Sequence, residues 1–107
     1  MSIGIPRIKD GNTETLTSNP TVLTAASAYH QRIDSDGAKD VDMPSGTGTQ
    51  GGEVMITNAA DAAEAITVKQ SDSSTTVIAI GTGESALLLC NGLSAANGWQ
   101  ASQIAAT

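Results

Sequence analysis

Aromatic side chains are almost missing from this sequence. Its 107 residues include no phenylalanine, one tyrosine, Tyr29, and one tryptophan, Trp99. A core must therefore be built from Val, Ile, Leu, Met and Ala, which bury less apolar area per residue than rings do. A chain of this length has room for one domain with a small core, and oligomerisation is a common way to cover the apolar surface that remains. Trp99 is the largest apolar side chain, so we expect it to be buried.

Positive charge is also scarce. Five Lys and Arg stand against eleven Asp and Glu, which gives a net charge of −6 and a pI near 4.3. Proteins that coat nucleic acid need clustered Lys or Arg to contact phosphates, so this composition argues against nucleic acid as a partner. The exception is the N-terminus, where Arg7 and Lys9 outweigh Asp10.

The sequence has no pair of cysteines and no long apolar run. Cys90 is the only cysteine, so no intramolecular disulfide can form, and its place in an apolar segment is typical of an inert core thiol. No stretch approaches the roughly 18 apolar residues of a membrane helix. The residues after Met1 lack the apolar region of a secretory signal. We therefore expect no membrane partner, no Sec export, and synthesis in a cytoplasm.

Short apolar segments rich in β-branched residues are what the sequence does contain. Several lie between Glu53 and Trp99, separated by Asn, Asp, Ser and Gly. We interpret this region as a meander of consecutive antiparallel strands. Upstream, Tyr29 to Asp34 alternates like a half-buried strand, and Asp36-Gly37 predicts a hairpin that leads to a partner strand at Lys39 to Met43.

The number and spacing of these segments predict an all-β fold. We expect an antiparallel β-sandwich or a jelly-roll-like barrel of about eight strands. Parallel sheets need long helical crossovers, for which the chain has no length. The sandwich is expected to span residues 20–107, with a flexible glycine-rich loop at Ser45 to Gly52. Residues 1–19 show no strand or helix period and are predicted to form an extended arm, with a frayed terminus as the alternative.

Two overlapping motifs resemble enzyme signatures but fail on their context. The run from Gly81 to Ala86 matches the dinucleotide fingerprint, yet the apolar segment after it is too short for the required helix. Within the same run Ser85 resembles the nucleophile of an esterase elbow, but Leu87 replaces the second glycine and His30 is the only available base. A hairpin turn is the simpler interpretation. We predict no catalytic residue and no cofactor.

Aspartates around the predicted turn at Gly37 raise the question of a cation site. Hard cations such as Ca²⁺ prefer several carboxylates. The spacing departs from an EF-hand loop, in which glycine is sixth, whereas Gly37 is fourth if Asp34 is first. We expect a solvated hairpin tip and no metal site, with cation binding as the alternative. The aspartates are Asp34, Asp36, Asp40 and Asp42.

From Pro20 onward, several segments resemble small structural proteins of tailed-bacteriophage heads. The most telling part is Gly83-Glu84, then an apolar strand that ends in Cys90-Asn91-Gly92, and a nearby Gly98-Trp99. The chain is similar in these segments to decoration or cement proteins and to related head-fibre modules. The resemblance implies a β-sandwich, commonly trimeric, that binds the outside of a capsid and has no catalytic residue. The other similar segments are Thr21 to Ala25, Gly52 to Asn58, Ala65 to Val68 and Thr76 to Ile80.

On this resemblance we expect a virion structural protein on the outer capsid surface, with the major capsid protein as its partner. It would stabilise the assembled head by bridging capsid subunits, because a ligand that binds only the assembled state favours that state. The alternative is a receptor- or carbohydrate-binding module of a head fibre or tail, although two aromatic side chains are few for stacking on sugars.

Residues 1–19 have no counterpart in the resemblance, and we assign capsid binding to them on other grounds. They combine isolated isoleucines with the net-positive stretch of an acidic chain, and an extended arm can add to a neighbour's sheet edge. The predicted capsid-binding residues are Ile3, Ile5, Arg7, Ile8 and Lys9. The predicted oligomer-interface residues on the strand faces are Val77, Ala79 and Leu88.

Overall fold

The structure, a computed structural model, describes residues 11–16, 21–23, 29–35, 37–47 and 51–104. This part of the chain is made of β-strands joined by turns and loops. None of these residues is helical, so this part of the chain holds no helix long and apolar enough to cross a membrane. The strands are β1 (Gly11–Leu16), β2 (Thr21–Val22), β3 (His30–Ser35), β4 (Lys39–Asp42), β5 (Glu53–Asn58), β6 (Ile66–Lys69), β7 (Thr76–Ile80), β8 (Ser85–Cys90) and β9 (Trp99–Ile104).

Two mixed sheets divide these strands between them. Sheet A has five strands in the order β1-β3-β5-β8-β9, and sheet B has four in the order β2-β4-β6-β7. From β1 to β6 the chain changes sheet at every connection. Among the described strands, only β6–β7 and β8–β9 are consecutive pairs within one sheet.

This alternation produces parallel neighbours without helices. In sheet A the strands β1, β3 and β5 run parallel, and in sheet B so do β2, β4 and β6. A parallel pair needs a crossover between its strands, and here a strand of the facing sheet supplies it. The segment from β1 to β6 is therefore a two-layered coil. Antiparallel partners follow it, with β7 beside β6, β8 beside β5, and β9 beside β8.

The predicted fold is confirmed in outline and corrected in detail. The described residues form an all-β, two-sheet fold, as expected, but their sheets are mixed and do not close into a barrel. The predicted hairpin at Gly37 is wrong, because β3 and β4 lie in different sheets. The expected meander between Glu53 and Trp99 is broken by two connections that change sheet. The physical reason is that a strand of the facing sheet serves as the crossover, so a short chain can still form parallel pairs.

Part of the predicted arm belongs to sheet A. Residues 11–16 form β1, which pairs in parallel along its whole length with β3. An edge strand is held by main-chain bonds on one side, so it does not need the side-chain period that residues 1–19 lack. Residues 1–10 and 17–20 lie outside the described part of the chain.

An aliphatic core lies between the two sheets. In β5 and β8 every second side chain points inward, as the pleat of a strand requires. Burial of each large aliphatic side chain contributes about 1.5–3 kcal/mol. Trp99 is 6% exposed, which confirms its predicted burial. The side chains with almost no exposed surface are Ile33, Ile56, Ala86 and Leu88 from sheet A, and Val41, Ile66, Val68 and Ile80 from sheet B.

The side-chain amide of Asn58 holds one end of the two sheets together. Asn58 ends β5 and has no exposed surface. Its Nδ2 donates to the carbonyl oxygens of Glu64 (2.7 Å) and Ile80 (2.9 Å), and its Oδ1 accepts from the backbone N–H of Ala60 (3.0 Å). A buried main-chain group without a partner costs about 1–3 kcal/mol. One amide therefore satisfies the β5–β6 turn and the end of β7 together.

The turns that change sheet at this end also bind one another. In the turn between β3 and β4, Gly37 adopts a φ of 90°, which favours glycine. Its N–H donates to Glu64 Oε2 (3.1 Å) in the turn between β5 and β6. The N–H of Lys39 donates to the carbonyl oxygen of Ala65 (3.2 Å) in the same turn. Successive turns of the coil are thus stacked, which keeps the two sheets in register.

Candidate functional site

An apolar stripe crosses the outer face of sheet A. Strand alternation turns Met55, Leu87 and Leu89 away from the core, and we call these three residues the sheet-A stripe. Met55 and Leu87 are direct neighbours in the pairing of β5 with β8. Both are half-buried, whereas Leu89 is 45% exposed. Sheet A therefore presents apolar surface on both of its faces.

A row of polar side chains runs beside the sheet-A stripe. The Nε2 of His30 lies 2.9 Å from Thr57 Oγ1, which lies 2.8 Å from Ser85 Oγ. The row crosses β3, β5 and β8, and the exposed Arg32 is next to Thr57 in the strand register. Ser85 and His30, which the sequence singled out as a possible nucleophile and base, thus share one face. A serine nucleophile activated by histidine needs a hydrogen bond between the two side chains, and here the hydroxyl of Thr57 lies between Ser85 and His30.

The outer face of sheet B is polar by contrast. Lys69 Nζ forms an ion pair with Asp40 Oδ2 at 3.1 Å, and a partly exposed pair of this kind contributes about 0–1 kcal/mol. Asp42 lies beside Lys69 in the strand register. It is 5% exposed, and its Oδ1 has no hydrogen-bond partner. Among the described side chains of β4 and β6, this face carries no aliphatic row like that of sheet A.

The fold separates the aspartates that raised the question of a cation site. Asp34 lies on β3 in sheet A, whereas Asp40 and Asp42 lie on β4 in sheet B. Asp36 is outside the described residues. Over the described ranges, no group of three His, Cys, Asp or Glu side chains is placed to hold a metal ion.

The predicted interface residues fall in different environments. Leu88 has no exposed surface and packs in the core of its own chain, so it cannot contact a second subunit. Its neighbours Leu87 and Leu89 face outward instead. On the edge strand β7, Ala79 is exposed and Val77 packs partly against the core. The predicted capsid-binding residues, Ile3, Ile5, Arg7, Ile8 and Lys9, all lie outside the described part of the chain.

A second buried amide closes the other end of the two sheets. Gln70 follows β6 in sheet B, and Trp99 begins β9 in sheet A. The Nε2 of Gln70 donates to the carbonyl oxygen of Trp99 (2.9 Å), and the N–H of Trp99 donates to Gln70 Oε1 (3.2 Å). The indole Nε1 of Trp99 donates to the carbonyl oxygen of Pro44 (2.9 Å). We call the contacts of Gln70, Trp99 and Pro44 the Trp99 clasp.

Two glycines touch beside the Trp99 clasp. A Cβ added to Gly46 would lie 2.7 Å from Gly98 Cα, and one added to Gly98 would lie 2.6 Å from Gly46 Cα. Neither position has room for a side chain. Cys90 Sγ donates to the carbonyl oxygen of Gly46 at 3.1 Å. The glycine-rich loop predicted to be flexible from Ser45 therefore contains a packed residue, and the thiol is buried, as the sequence predicted.

A hydrogen-bonded turn joins β6 to β7. Asp72 Oδ2 accepts from the hydroxyl of Thr75 (2.6 Å), and its Oδ1 accepts from the N–H groups of Ser74 (2.9 Å) and Thr75 (2.8 Å). These bonds, with the Thr75 hydroxyl as the largest contribution, lower the pKa of Asp72 below its ordinary value of 3.8. Ser73, at a φ of 58°, completes the turn in a left-handed conformation.

The fold and these contacts define an all-β, sandwich-like protein with a polar outer face on one sheet and a partly apolar outer face on the other. The chain matches no known protein family, no curated protein and no solved structure. Its function is therefore inferred from its own sequence and surfaces.

We expect Trp99→Ala to lower the free energy of unfolding by about 3–5 kcal/mol, the range for large-to-small changes in a core. Trp99→Phe keeps a ring but loses the indole bond to Pro44, and should cost about 1–2 kcal/mol. Chemical denaturation measures both values. In the folded wild type the fluorescence emission of Trp99 should lie at shorter wavelengths than that of free tryptophan in water. Emission like that of free tryptophan would contradict its burial.

The lowered pKa of Asp72 makes the turn sensitive to acid. The stabilisation by its carboxylate is present above the unfolded pKa and is lost as the pH falls through the lower folded pKa. Thr75→Val removes the hydroxyl donor, so we expect the pKa of Asp72 to rise toward 3.8. An NMR titration of the Asp72 carboxyl carbon measures this change. Ser74→Ala keeps the main-chain donor and should leave the pKa unchanged. An equal pKa in wild type and Thr75→Val would refute the assignment.

Proposed function

We propose that this protein is a virion structural protein that decorates the outer surface of an assembled bacteriophage head and cements it by bridging capsid subunits. The class of partner is proposed from the resemblance of the segments after Pro20 to decoration proteins. The structural observation that supports assembly with other protein subunits is the sheet-A stripe, an outward apolar row on a body whose two sheets are joined at both ends. Apolar side chains rimmed by polar ones are typical of protein contact surfaces.

Binding of this kind stabilises a capsid by mass action. A ligand that binds only the assembled shell favours that shell by about 2.7 kcal/mol per site when it is present at a hundredfold excess over its Kd. The decorating protein must hold its shape while it bridges two subunits. Buried amides fasten the sheets to each other at both ends, through Asn58 and through Gln70. These contacts suit a protein that must keep its shape while it is bound to two subunits.

We propose further that the protein acts as a homotrimer and that the sheet-A stripe is one side of its subunit contact. A ring of three subunits uses two different patches on each subunit. Val77 and Ala79 on the edge strand β7 are candidates for the second patch, because an edge strand offers main-chain groups as well as apolar side chains. In this proposal Leu87 and Leu89 take the place of Leu88 at the subunit contact, because Leu88 is buried in the core of its own chain.

The capsid contact is assigned to the residues that precede β1. This step rests on their sequence and on the position of β1 at the edge of sheet A. A segment that leads into an edge strand can reach a neighbouring protein and add to its sheet. Ile3, Ile5 and Ile8 would supply apolar contacts, while Arg7 and Lys9 would face acidic groups at about 0–1 kcal/mol each. The partner in this proposal is the major capsid protein.

The proposal predicts that the purified protein cosediments with assembled capsids and raises their melting temperature. Deletion of residues 1–10 keeps β1, so the variant should unfold like wild type and bind capsids about tenfold more weakly or worse. Leu89→Glu places a charge on the sheet-A stripe and should reduce the trimer to a monomer in light scattering. The monomer mass is 10.8 kDa.

Ala38→Glu is the control for Leu89→Glu, because Ala38 is exposed and lies in the turn between β3 and β4. These strands are separated by β5 from β8 and by β6 from β7. The control substitution should change neither the mass nor capsid binding. Absence of cosedimentation by the wild type would contradict the decoration function. A monomer at every concentration tested would contradict the trimer. Binding to a glycan array in place of capsids would favour the receptor- or carbohydrate-binding alternative.

A further inference from the structure

We propose that Asn91 is a site of spontaneous covalent modification, at which the side-chain amide is converted to a mixture of isoaspartate and aspartate through a cyclic imide with Gly92. The chain contains two Asn-Gly pairs, Asn91-Gly92 and Asn97-Gly98. The two pairs have the same dipeptide sequence, but the fold places them in different surroundings. This inference is independent of the proposed function.

The reaction needs only the chain and water. The backbone nitrogen of Gly92 attacks Cγ of Asn91, a C–N bond forms, and the side-chain amide leaves as ammonia with the proton lost by Gly92. Water then opens the five-membered imide at one of its two carbonyl groups. Opening at the former side-chain carbonyl gives aspartate. Opening at the main-chain carbonyl of residue 91 gives isoaspartate, whose main chain runs through the former side chain. Glycine favours the first step because it has no Cβ and its dihedral angles are free.

The surroundings of Asn91 favour this attack. Asn91 is exposed and lies where β8 leads into the loop before β9. Its Oδ1 accepts a hydrogen bond from the N–H of Leu93 at 2.8 Å. This bond holds the Asn91 side chain against the turn that contains Gly92 and draws electron density from the side-chain carbonyl carbon, which makes that carbon more electrophilic. Gly92 is only half-buried, so the main chain has space to rotate as the imide closes.

The surroundings of Asn97 oppose the same reaction. Asn97 is also exposed, but the Gly98 that follows it is buried. The main chains of Gly98 and Gly46 are in direct contact, closer than any side chain would allow. Gly98 also leads into Trp99, which the clasp holds through its N–H and carbonyl oxygen. The Gly98 nitrogen can reach Asn97 Cγ only if this packing opens, so local stability protects the second pair.

Modification of Asn91 would alter the loop that carries it. The product adds a carboxylate beside Leu93, which is 75% exposed. Isoaspartate also adds a backbone carbon at a residue whose N–H donates to the carbonyl oxygen of Gly98 at 2.8 Å. Each aged copy would therefore differ from a new copy in charge and in the local path of the chain.

The test is peptide mapping of the folded full-length protein by mass spectrometry after incubation in heavy-oxygen water at neutral pH. Heavy oxygen should enter at position 91 about tenfold faster than at position 97, because reaction at Asn97 waits for local opening. Fragmentation by electron transfer should identify isoaspartate at position 91. In denaturant the packing of Gly98 is lost, and the two pairs should react at similar rates.

Asn91→Gln is the matched variant, because a glutamine side chain closes the corresponding ring far more slowly. It should abolish the label at position 91 and leave the slow reaction at Asn97 unchanged. Equal rates at Asn91 and Asn97 in the folded protein would overturn the proposal. So would an unmodified Asn91 in the folded protein over a period in which the denatured chain reacts at both positions.

Discussion

The structure depends on one constraint, which is that a chain changing sheet at most of its connections buries main-chain groups at each turn. Buried N–H and C=O groups need hydrogen-bond partners. Two side-chain amides supply them, Asn58 at one end of the sheets and Gln70 at the other. Each amide forms hydrogen bonds with main-chain groups, as a neighbouring strand would, and so joins segments that are distant in sequence. Without them the turns would lose their partners, and the two layers would no longer be held at both ends.

This arrangement explains how a short chain with few rings and no disulfide forms parallel strand pairs. Each turn of the coil uses a strand of the facing sheet as its crossover, so the crossover strands β3, β4 and β5 also contribute buried side chains to the core. The inner faces of both sheets are consequently aliphatic and alike. The outer faces differ, with an ion pair between Asp40 and Lys69 on sheet B and the row of Met55, Leu87 and Leu89 on sheet A. A difference of this kind gives the body one face suited to protein contact and one suited to water.

Local patterns in the sequence predicted strands well but not their partners. The strand Thr76–Ile80 and the burial of Trp99 follow from β-branched composition and from size, which act locally. The turn at Gly37 was correctly expected, yet a turn signal does not tell whether the next strand stays in the sheet or crosses to the facing one. That choice depends on bonds such as those from Asn58 to Ile80 and from Gln70 to Trp99, which span 22 and 29 residues.

The candidate site shows the same division. Alternation in β8 predicts that Leu87 and Leu88 face opposite sides, but not which of them enters the core. The pairing of β8 with β5 decides this, and it places Leu88 inside. The strand β1 was missed because an edge strand is defined by its main-chain bonds to a neighbour. Side-chain period carries little information at such a position.

The alternation of the chain between the two sheets can be tested by proton–proton contacts measured by NMR on the isotope-labelled protein. Paired strands lie about 4.8 Å apart and facing sheets about 10 Å apart, so the two arrangements give different contacts. If the chain alternates between sheets, main-chain protons of Arg32 and Thr57 should be in contact, because these residues are neighbours in the parallel β3–β5 register. No contact is expected between the main chains of Ile33 and Val41. Close Hα–Hα contacts between β3 and β4 would instead show a hairpin closed at Gly37 and would contradict the alternation between sheets.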